Sequence, residues 1–373
     1  MIKGKCCIYG GRSLYRLPIY NLLAEKINCD FYIGSDKENA GIKAYDYSLL
    51  KNYKGETGKK CLGGNFFWQS GGMKTWWMPY EYYFVGGAYC ITSWLMLLLS
   101  CFSRKKVVSW SHGMYGREHG FRKWIKTIFF KACHQCLVYN QRGKRLMIDA
   151  GVNGNKIHVV YNSLDTDHDL SIRNNLKETD FYRNLFNNNN PSIVFVGRVT
   201  KEKRLDLALE AIKILIDKGH PVNFLVVGKD VDGVNLNELS KKLGIKGNVH
   251  LYGPCYDEEK IGEMFYNAEA CVSPGNVGLT AISALTFGCP VITHDNFSYQ
   301  GPEFESVHPG ITGDFFKQGD ACDLAEKIDK WVYNGDSANK KIVRQNAFKE
   351  VDERWNIYSE AAVFEKLYGH GTE

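Results

Sequence analysis

Val194-Phe195-Val196-Gly197-Arg198-Val199-Thr200-Lys201-Glu202-Lys203 is the most informative stretch of this 373-residue chain. An apolar run ends at a glycine and a cationic loop follows. Leu205, Ala208, Leu209, Ile212, Leu215 and Ile216 then keep helical spacing. Strand, glycine turn and helix make the repeating unit of a parallel α/β sheet. Glycine lets a backbone approach a ligand, and Arg198 and Lys203, five apart across the loop, are suited to clamp a diphosphate. The same cations also fit ordinary solvated surface charge.

Further α/β units surround this stretch. Val222–Val227, Val249–Tyr252, Ala270–Ser273 and Pro290–Thr293 read as short strands, each followed by a helix or turn. Ser273-Pro274-Gly275-Asn276-Val277-Gly278-Leu279-Thr280 leads from a strand into a helix beginning near Leu279 or Thr280, whose first amides are unpaired and suit a phosphate. Upstream, Cys6–Tyr9 is a strand broken by Gly10-Gly11. A helix through Ile19–Ile27 and a strand at Phe31–Ile33 follow. Apolar runs at Asn65–Gln69, Lys106–Trp110, Cys136–Tyr139 and Ile157–Tyr161 alternate with helix-length segments, and the lysine-rich residues 37–62 take no assignment. The pattern breaks over 170–190, where Phe186–Pro191 is a polar loop. The expectation is two successive doubly wound domains, 1–170 and 171–354, with ligand at the carboxyl ends of the strands, in the cleft between them.

Composition bounds the class. With 44% hydrophobic and 24% charged residues the chain folds, and its 9 prolines and 37 glycines exclude a collagen-like or low-complexity design. The 12 cysteines are scattered through apolar runs, and the apolar stretch in MIKGKCCIYGG is too short for a secretory signal, so a reducing cytoplasm is expected. Residues 1–170 carry 24 Lys+Arg against 12 Asp+Glu, and the rest 23 against 29, so a basic first half precedes an acidic second half. Phe84–Phe102 is uncharged and long enough to span a bilayer, but its small polar residues and the strand-helix alternation after it favour a buried helix. Phe121–Lys131 interleaves cations with Phe121, Trp124, Ile125, Ile128 and Phe129 on one helical face. That pattern fits a helix lying in lipid headgroups or one packed on the core. The aromatic cluster Trp76–Phe84 adds interfacial residues, which tilts the reading toward an anionic membrane surface. Cys133-His134-Gln135-Cys136 is half a zinc site without a second pair, so no metal site is expected. No basic run or recognition motif points to nucleic acid.

The Gly-Arg-x-x-x-Glu-Lys loop, the proline-and-glycine loop some 75 residues on, and Gly288-Cys289-Pro290-Val291-Ile292 together resemble the retaining glycosyltransferases of family 4, which have the GT-B fold. Val226-Val227-Gly228, Leu251-Tyr252-Gly253 and Gly310-Ile311-Thr312-Gly313 extend the resemblance. Gly10-Gly11, Ser111-His112-Gly113 and Tyr161–Asp165 carry it more loosely into the first half. It implies two Rossmann-like α/β domains facing each other across a cleft. A terminal helix, about 355–373, returns to the first domain after Arg354-Trp355-Asn356. It also implies a nucleotide-sugar donor on the second domain and a glycan or lipid-linked sugar acceptor on the first, with no cofactor and no metal. Arg198 and Lys203 would neutralise the donor diphosphate, and the amides of Gly278, Leu279 and Thr280 would hold its distal phosphate. Gly197, Asn276 and Val277 would complete the donor loops. Tyr252 and Gly253 would flank the base, Gly11 would let the first domain close, and His112 would lie by the sugar. The implied setting is bacterial surface polysaccharide synthesis, on the inner face of the cell membrane.

Two positions depart from that pattern. The family's paired glutamates correspond to Gly275 and Ser283. Serine still hydrogen-bonds a ribose hydroxyl, whereas glycine offers only backbone. Glu303 and Glu305 follow the next strand, either as a substitute carboxylate or as a solvated short helix. A catalytically inactive binding or scaffold subunit and a sugar-nucleotide epimerase are the alternatives.

Overall fold

The computed structural model describes residues 4–34, 43–333 and 340–369. It divides into two units, Met1–Asp165 with Asn356–Glu373, and Thr166–Trp355. The division falls before residue 170 because the helix Thr166–Arg173 packs on the second unit's helices. There Ile172 packs closely against Gly262, where an added Cβ would lie 3.0 Å from the Ile172 side chain. A further helix, Phe181–Phe186, occupies the stretch expected to be irregular and is anchored by Tyr182, whose hydroxyl donates to the Met264 carbonyl at 2.7 Å.

The first unit holds β1 (Gly4–Tyr9), β2 (Cys29–Gly34), β3 (Tyr53–Gly63), β4 (Phe66–Ser70), β5 (Tyr80–Val85), β6 (Lys106–Ser111), β7 (Gln135–Val138) and β8 (Ile157–Val159). They form one sheet in the order β4-β3-β2-β1-β5-β6-β7-β8. Every pairing is parallel except the β3–β4 hairpin. β3 carries Lys54, Lys59 and Lys60 on an exposed outer pair, so neither alternation nor an apolar run betrayed it. Of the unassigned 37–62 stretch, 37–42 lies outside the described residues. Phe84–Phe102 is not one helix: β5 ends at Val85 and a ten-residue helix, Ile91–Ser100, follows. Thr92, Ser93, Met96 and Leu97 are buried, while Leu98 and Phe102 are exposed. Among the described residues no helix is long and apolar enough to cross a membrane. The helix Ile357–Tyr368 begins at Asn356, whose side chain accepts from the Tyr358 and Ser359 amides. It packs on the helix Leu17–Ile27 and adds Ile357, Ala361, Phe364 and Tyr368 to a core with Tyr20, Phe31 and Trp110.

The second unit holds β9 (Ser192–Val196), β10 (Asn223–Val227), β11 (Val249–Gly253), β12 (Ala270–Ser273), β13 (Val291–His294) and β14 (Gly313–Phe316). All are parallel, in the order β11-β10-β9-β12-β13-β14. The helix Leu205–Asp217 buries Leu205, Ala208, Leu209, Ile212 and Leu215 and half-buries Ile216, and each large aliphatic side chain fully buried contributes roughly 1.5–3 kcal/mol. All twelve cysteines are free thiols. Cys133 and Cys136 are core residues, and among the described residues no group of three or more His, Cys, Asp or Glu is arranged to hold a metal.

In each sheet the strand order reverses once, between β1 and β5 and between β9 and β12. Such a reversal opens a crevice at the carboxyl ends of the strands.

Candidate functional site

The two loops singled out from sequence follow β9 and β12, the neighbours at the second unit's reversal. They are fastened together. The Gly275 amide donates to the Lys203 carbonyl at 2.9 Å, and the Lys203 ammonium donates to the Asn276 carbonyl. A side chain at Gly275 would begin 1.9 Å from the Glu202 carbonyl oxygen and 2.7 Å from the Lys203 Cα. Glycine at this position is therefore what lets the two loops touch. Gly278 has φ +56°, and the amides of Gly278, Leu279 and Thr280 meet no acceptor among the described residues. The Thr280 hydroxyl donates to the Val196 carbonyl at 3.1 Å, which ties the start of the Thr280–Thr286 helix to the end of β9. Ser283 lies one turn into that helix, half-buried.

Gln300 does work that the sequence did not signal. Its side-chain oxygen accepts from the Val277 amide at 2.8 Å, and its amide donates to the Thr293 hydroxyl and the His294 carbonyl at 2.9 and 2.8 Å. Thr293 Oγ1 lies 2.9 and 3.1 Å from the Ser273 and Gly275 carbonyls. A single sequence holds no signal that a glutamine before a proline turn will be buried under the loop after β12. Gly197, Tyr252 and Gly253 share the same edge: the Gly197 amide donates to Val227 and the Gly228 amide to Gly253, at 2.9 and 2.8 Å. Tyr252 is exposed there.

Glu303 is not solvated. It is 3% exposed, in a short 3-10 turn at Pro302–Ser306. Its Oε2 and the Gly278 amide nitrogen lie 2.8 and 3.1 Å from the point where a Gly301 side chain would begin. Burial, and then the Arg198 charge, push the Lys203 ammonium down to about 8, while Glu303 opposes the shift. The arrangement concentrates positive charge and unpaired amides on one short rim, which suits a polyanion.

Gly11 and His112 belong to the first unit, at the ends of β1 and β6, and so are described apart from the rim. The His112 ring meets Tyr139 edge-on at 5.0 Å. Crowding by protein atoms, and then the Arg16 and Lys126 charges, lower it to about 4. Because the residue is itself exposed, the two cations are the sturdier cause, and both favour a neutral imidazole. The loop after His112 is ordered by Glu118, which accepts from the Tyr115 and Gly116 amides and the Lys126 ammonium at 3.0, 2.9 and 2.6 Å. Lys126, one of the cations interleaved through Phe121–Lys131, is thus buried in an ion pair.

The aromatic segments separate. Trp76, Tyr83 and Phe84 are core residues, and Trp77, 84% exposed, precedes the amino end of β5. Phe121 and Trp124, 65% and 59% exposed, stack on each other at 5.6 Å at the start of the helix Gly120–Ala132, which follows the carboxyl end of β6. The two clusters therefore do not form one patch. The far half of that helix is core, through Phe129 and Phe130.

Residues 177–349 match the family Glycosyl transferases group 1, and residues 58–168 match Glycosyltransferase Family 4. The chain is 26% identical to an uncharacterized 41.2 kDa protein in the cps region of Klebsiella pneumoniae, over 62% of this chain and 64% of that one. It is 27% identical to the capsular polysaccharide biosynthesis glycosyltransferase CapM of Staphylococcus aureus, over 53% and 50%. The matches thus span less than two thirds of these curated relatives. Among solved structures, a glycosyltransferase from Rickettsia africae superposes with a TM-score of 0.73 at 16% identity, over 99% of this chain and 98% of that one. Anabaena HepE in complex with UDP superposes with a TM-score of 0.72 at 15% identity, over 97% and 99%. Matched in its two halves by these families and in its fold along nearly its whole length, the chain belongs to the group 1, family 4 glycosyltransferases of the GT-B fold.

Proposed function

We propose that the chain is a retaining, metal-independent glycosyltransferase. It moves a sugar from a nucleotide-sugar donor to a glycan or lipid-linked sugar acceptor in bacterial surface polysaccharide synthesis. One observation carries this reading: Arg198, Lys203 and three amides without acceptors gather on the rim made by the loops after β9 and β12. In this reading the two cations neutralise the diphosphate as it leaves, and the Gly278, Leu279 and Thr280 amides hold its distal phosphate. Tyr252 and Gly253 flank the base, and Ser283 reaches a ribose hydroxyl. The leaving diphosphate takes the acceptor's proton, and the rim stabilises the charge that develops. A neutral His112 beside the sugar acts as a hydrogen-bond partner rather than a cation. The likeness to CapM and to a cps-region protein supports the polysaccharide setting.

Docking of the first unit on an anionic cytoplasmic membrane surface belongs to the same reading. Phe121 and Trp124, flanked by exposed Arg122 and Lys123, support it. Salt-sensitive co-sedimentation with anionic liposomes that is lost in Phe121→Ser/Trp124→Ser is the expected result; no sedimentation at low salt removes docking.

Thermal shift with UDP, GDP, CDP and their common sugar conjugates tests the donor claim, since a ligand that binds the native state raises its melting temperature. The expected result is a shift with one nucleotide, followed by transfer from its sugar conjugate with the anomeric configuration kept. A shift without transfer favours the inactive binding subunit, and no shift with any nucleotide contradicts the donor site.

A further inference from the structure

Arg16 is 5% exposed and sits seven residues beyond β1, beside the first unit's strand-order reversal. Four rings surround its guanidinium, those of Tyr9, Tyr15, Trp110 and Tyr139, at 4.8 to 5.5 Å. One hydrogen bond is made, to the Tyr139 hydroxyl at 2.6 Å. Among the described residues no carboxylate pairs with it. The nearby buried carboxyl, Glu360, accepts the Ser163 hydroxyl at 2.6 Å rather than pairing with Arg16, and burial pushes it up to about 8, so at neutral pH it is mostly protonated. A guanidinium has five donors. Withdrawing it from water without a counter-ion is unfavourable, and ring faces offset only part of that loss. His112 shares the Tyr139 ring with it.

We propose that Arg16 is an anion-recognition residue of the first unit, caged by Tyr9, Tyr15, Trp110 and Tyr139 so that its free N–H groups take the phosphate or carboxylate oxygens of an acceptor. This is a second oxyanion site, separate from the rim that holds Arg198 and Lys203. Only the word acceptor rests on the glycosyltransferase reading. The site rests on Arg16, its cage and the missing counter-ion.

Calorimetric titration of the full chain with inorganic pyrophosphate at pH 7 tests it. Two equivalents are expected on the wild type. Arg198→Ala/Lys203→Ala should leave one, and Arg16→Met should leave the other. One equivalent that survives Arg198→Ala/Lys203→Ala and disappears in Arg16→Met still supports the Arg16 site while removing the rim. One equivalent lost in both variants overturns a second site, as does binding that Arg16→Met leaves unchanged. The unliganded melting temperature separates a ligand role from a structural staple. Arg16→Met removes an unbalanced buried charge with little change in volume, so it should melt at or above the wild type; a fall with pyrophosphate binding intact overturns the proposal. If Arg16→Met does not fold, Arg16→Lys decides. It keeps the charge but loses the planar fork, and should weaken the Arg16-dependent equivalent about tenfold, whereas unchanged affinity overturns the site. Displacement of that equivalent by free glucuronate marks a carboxylate-bearing acceptor, and resistance to displacement a phosphate-bearing one.

Discussion

The two units each reverse strand order once and differ in how they present positive charge at that reversal. At the β9/β12 reversal both cations sit on the loop after β9, which is fastened to the loop after β12, where the Gly278, Leu279 and Thr280 amides stand. At the β1/β5 reversal a single guanidinium is held among four aromatic rings. The first arrangement suits a flexible polyanion that must bind and leave. The second suits a ligand whose position has to be defined. The same kind of reversal thus accommodates both arrangements, and chemistry enters through the residues that follow the strands.

The largest effect that separates the two crevices is on turnover. Arg198→Ala and Lys203→Ala should each reduce transfer by about a hundredfold or more, as loss of a group that stabilises developing charge does. Melting temperatures should stay close to the wild type. Full activity in either variant would remove the diphosphate clamp.

Restoring the family's acid comes next. Gly275→Glu drives a Cβ into the Glu202 carbonyl, so we expect a loss of about 2–4 kcal/mol in denaturant unfolding and weaker donor binding. Improved transfer would show that the loops part easily and that their contact does not define the site.

The pH dependence sharpens the contrast at lower amplitude. In the proposed clamp Lys203 meets the diphosphate as an ammonium, and in the free protein burial and the Arg198 charge push that ammonium down to about 8. Donor affinity should therefore be level below that value and fall up to about tenfold per pH unit above it. Lys203→Arg should flatten the profile. In the first unit the pH effect falls on stability instead. Glu360 takes up its proton near 8 when folded and near 4.5 when unfolded, so stability should decline as pH rises between those values. The decline amounts to a few kcal/mol at ~1.4 kcal/mol per pKa unit, and Glu360→Gln should remove it, as pH-dependent melting would record.

Much of the fold was legible because parallel strands are apolar runs with helical spacing between them. Val194–Lys203 and Ser273–Thr280 marked both loops of the rim, down to the start of the helix at Thr280. What stayed hidden was long-range or lay at an edge. β3 is charged because it forms an outer hairpin, and the burial of Lys126 depends on its pairing with Glu118, eight residues earlier. Gln300 and Glu303 matter through what they lie against, and spacing along one chain does not report that. The glycine at 275 read from sequence as a loss, whereas its contact with Glu202 shows a tight packing site.

The most direct measurement is calorimetric titration of the wild type and of Arg198→Ala/Lys203→Ala with one nucleoside, given as its diphosphate and as its monophosphate. A working clamp predicts that the wild type binds the diphosphate at least about a hundredfold more tightly than the monophosphate, the amount expected of one or two charge-assisted contacts. The double variant should lose that preference. Equal affinity for both nucleotides in the wild type, or a preference that survives in the double variant, would contradict the assignment of Arg198 and Lys203 to the donor diphosphate.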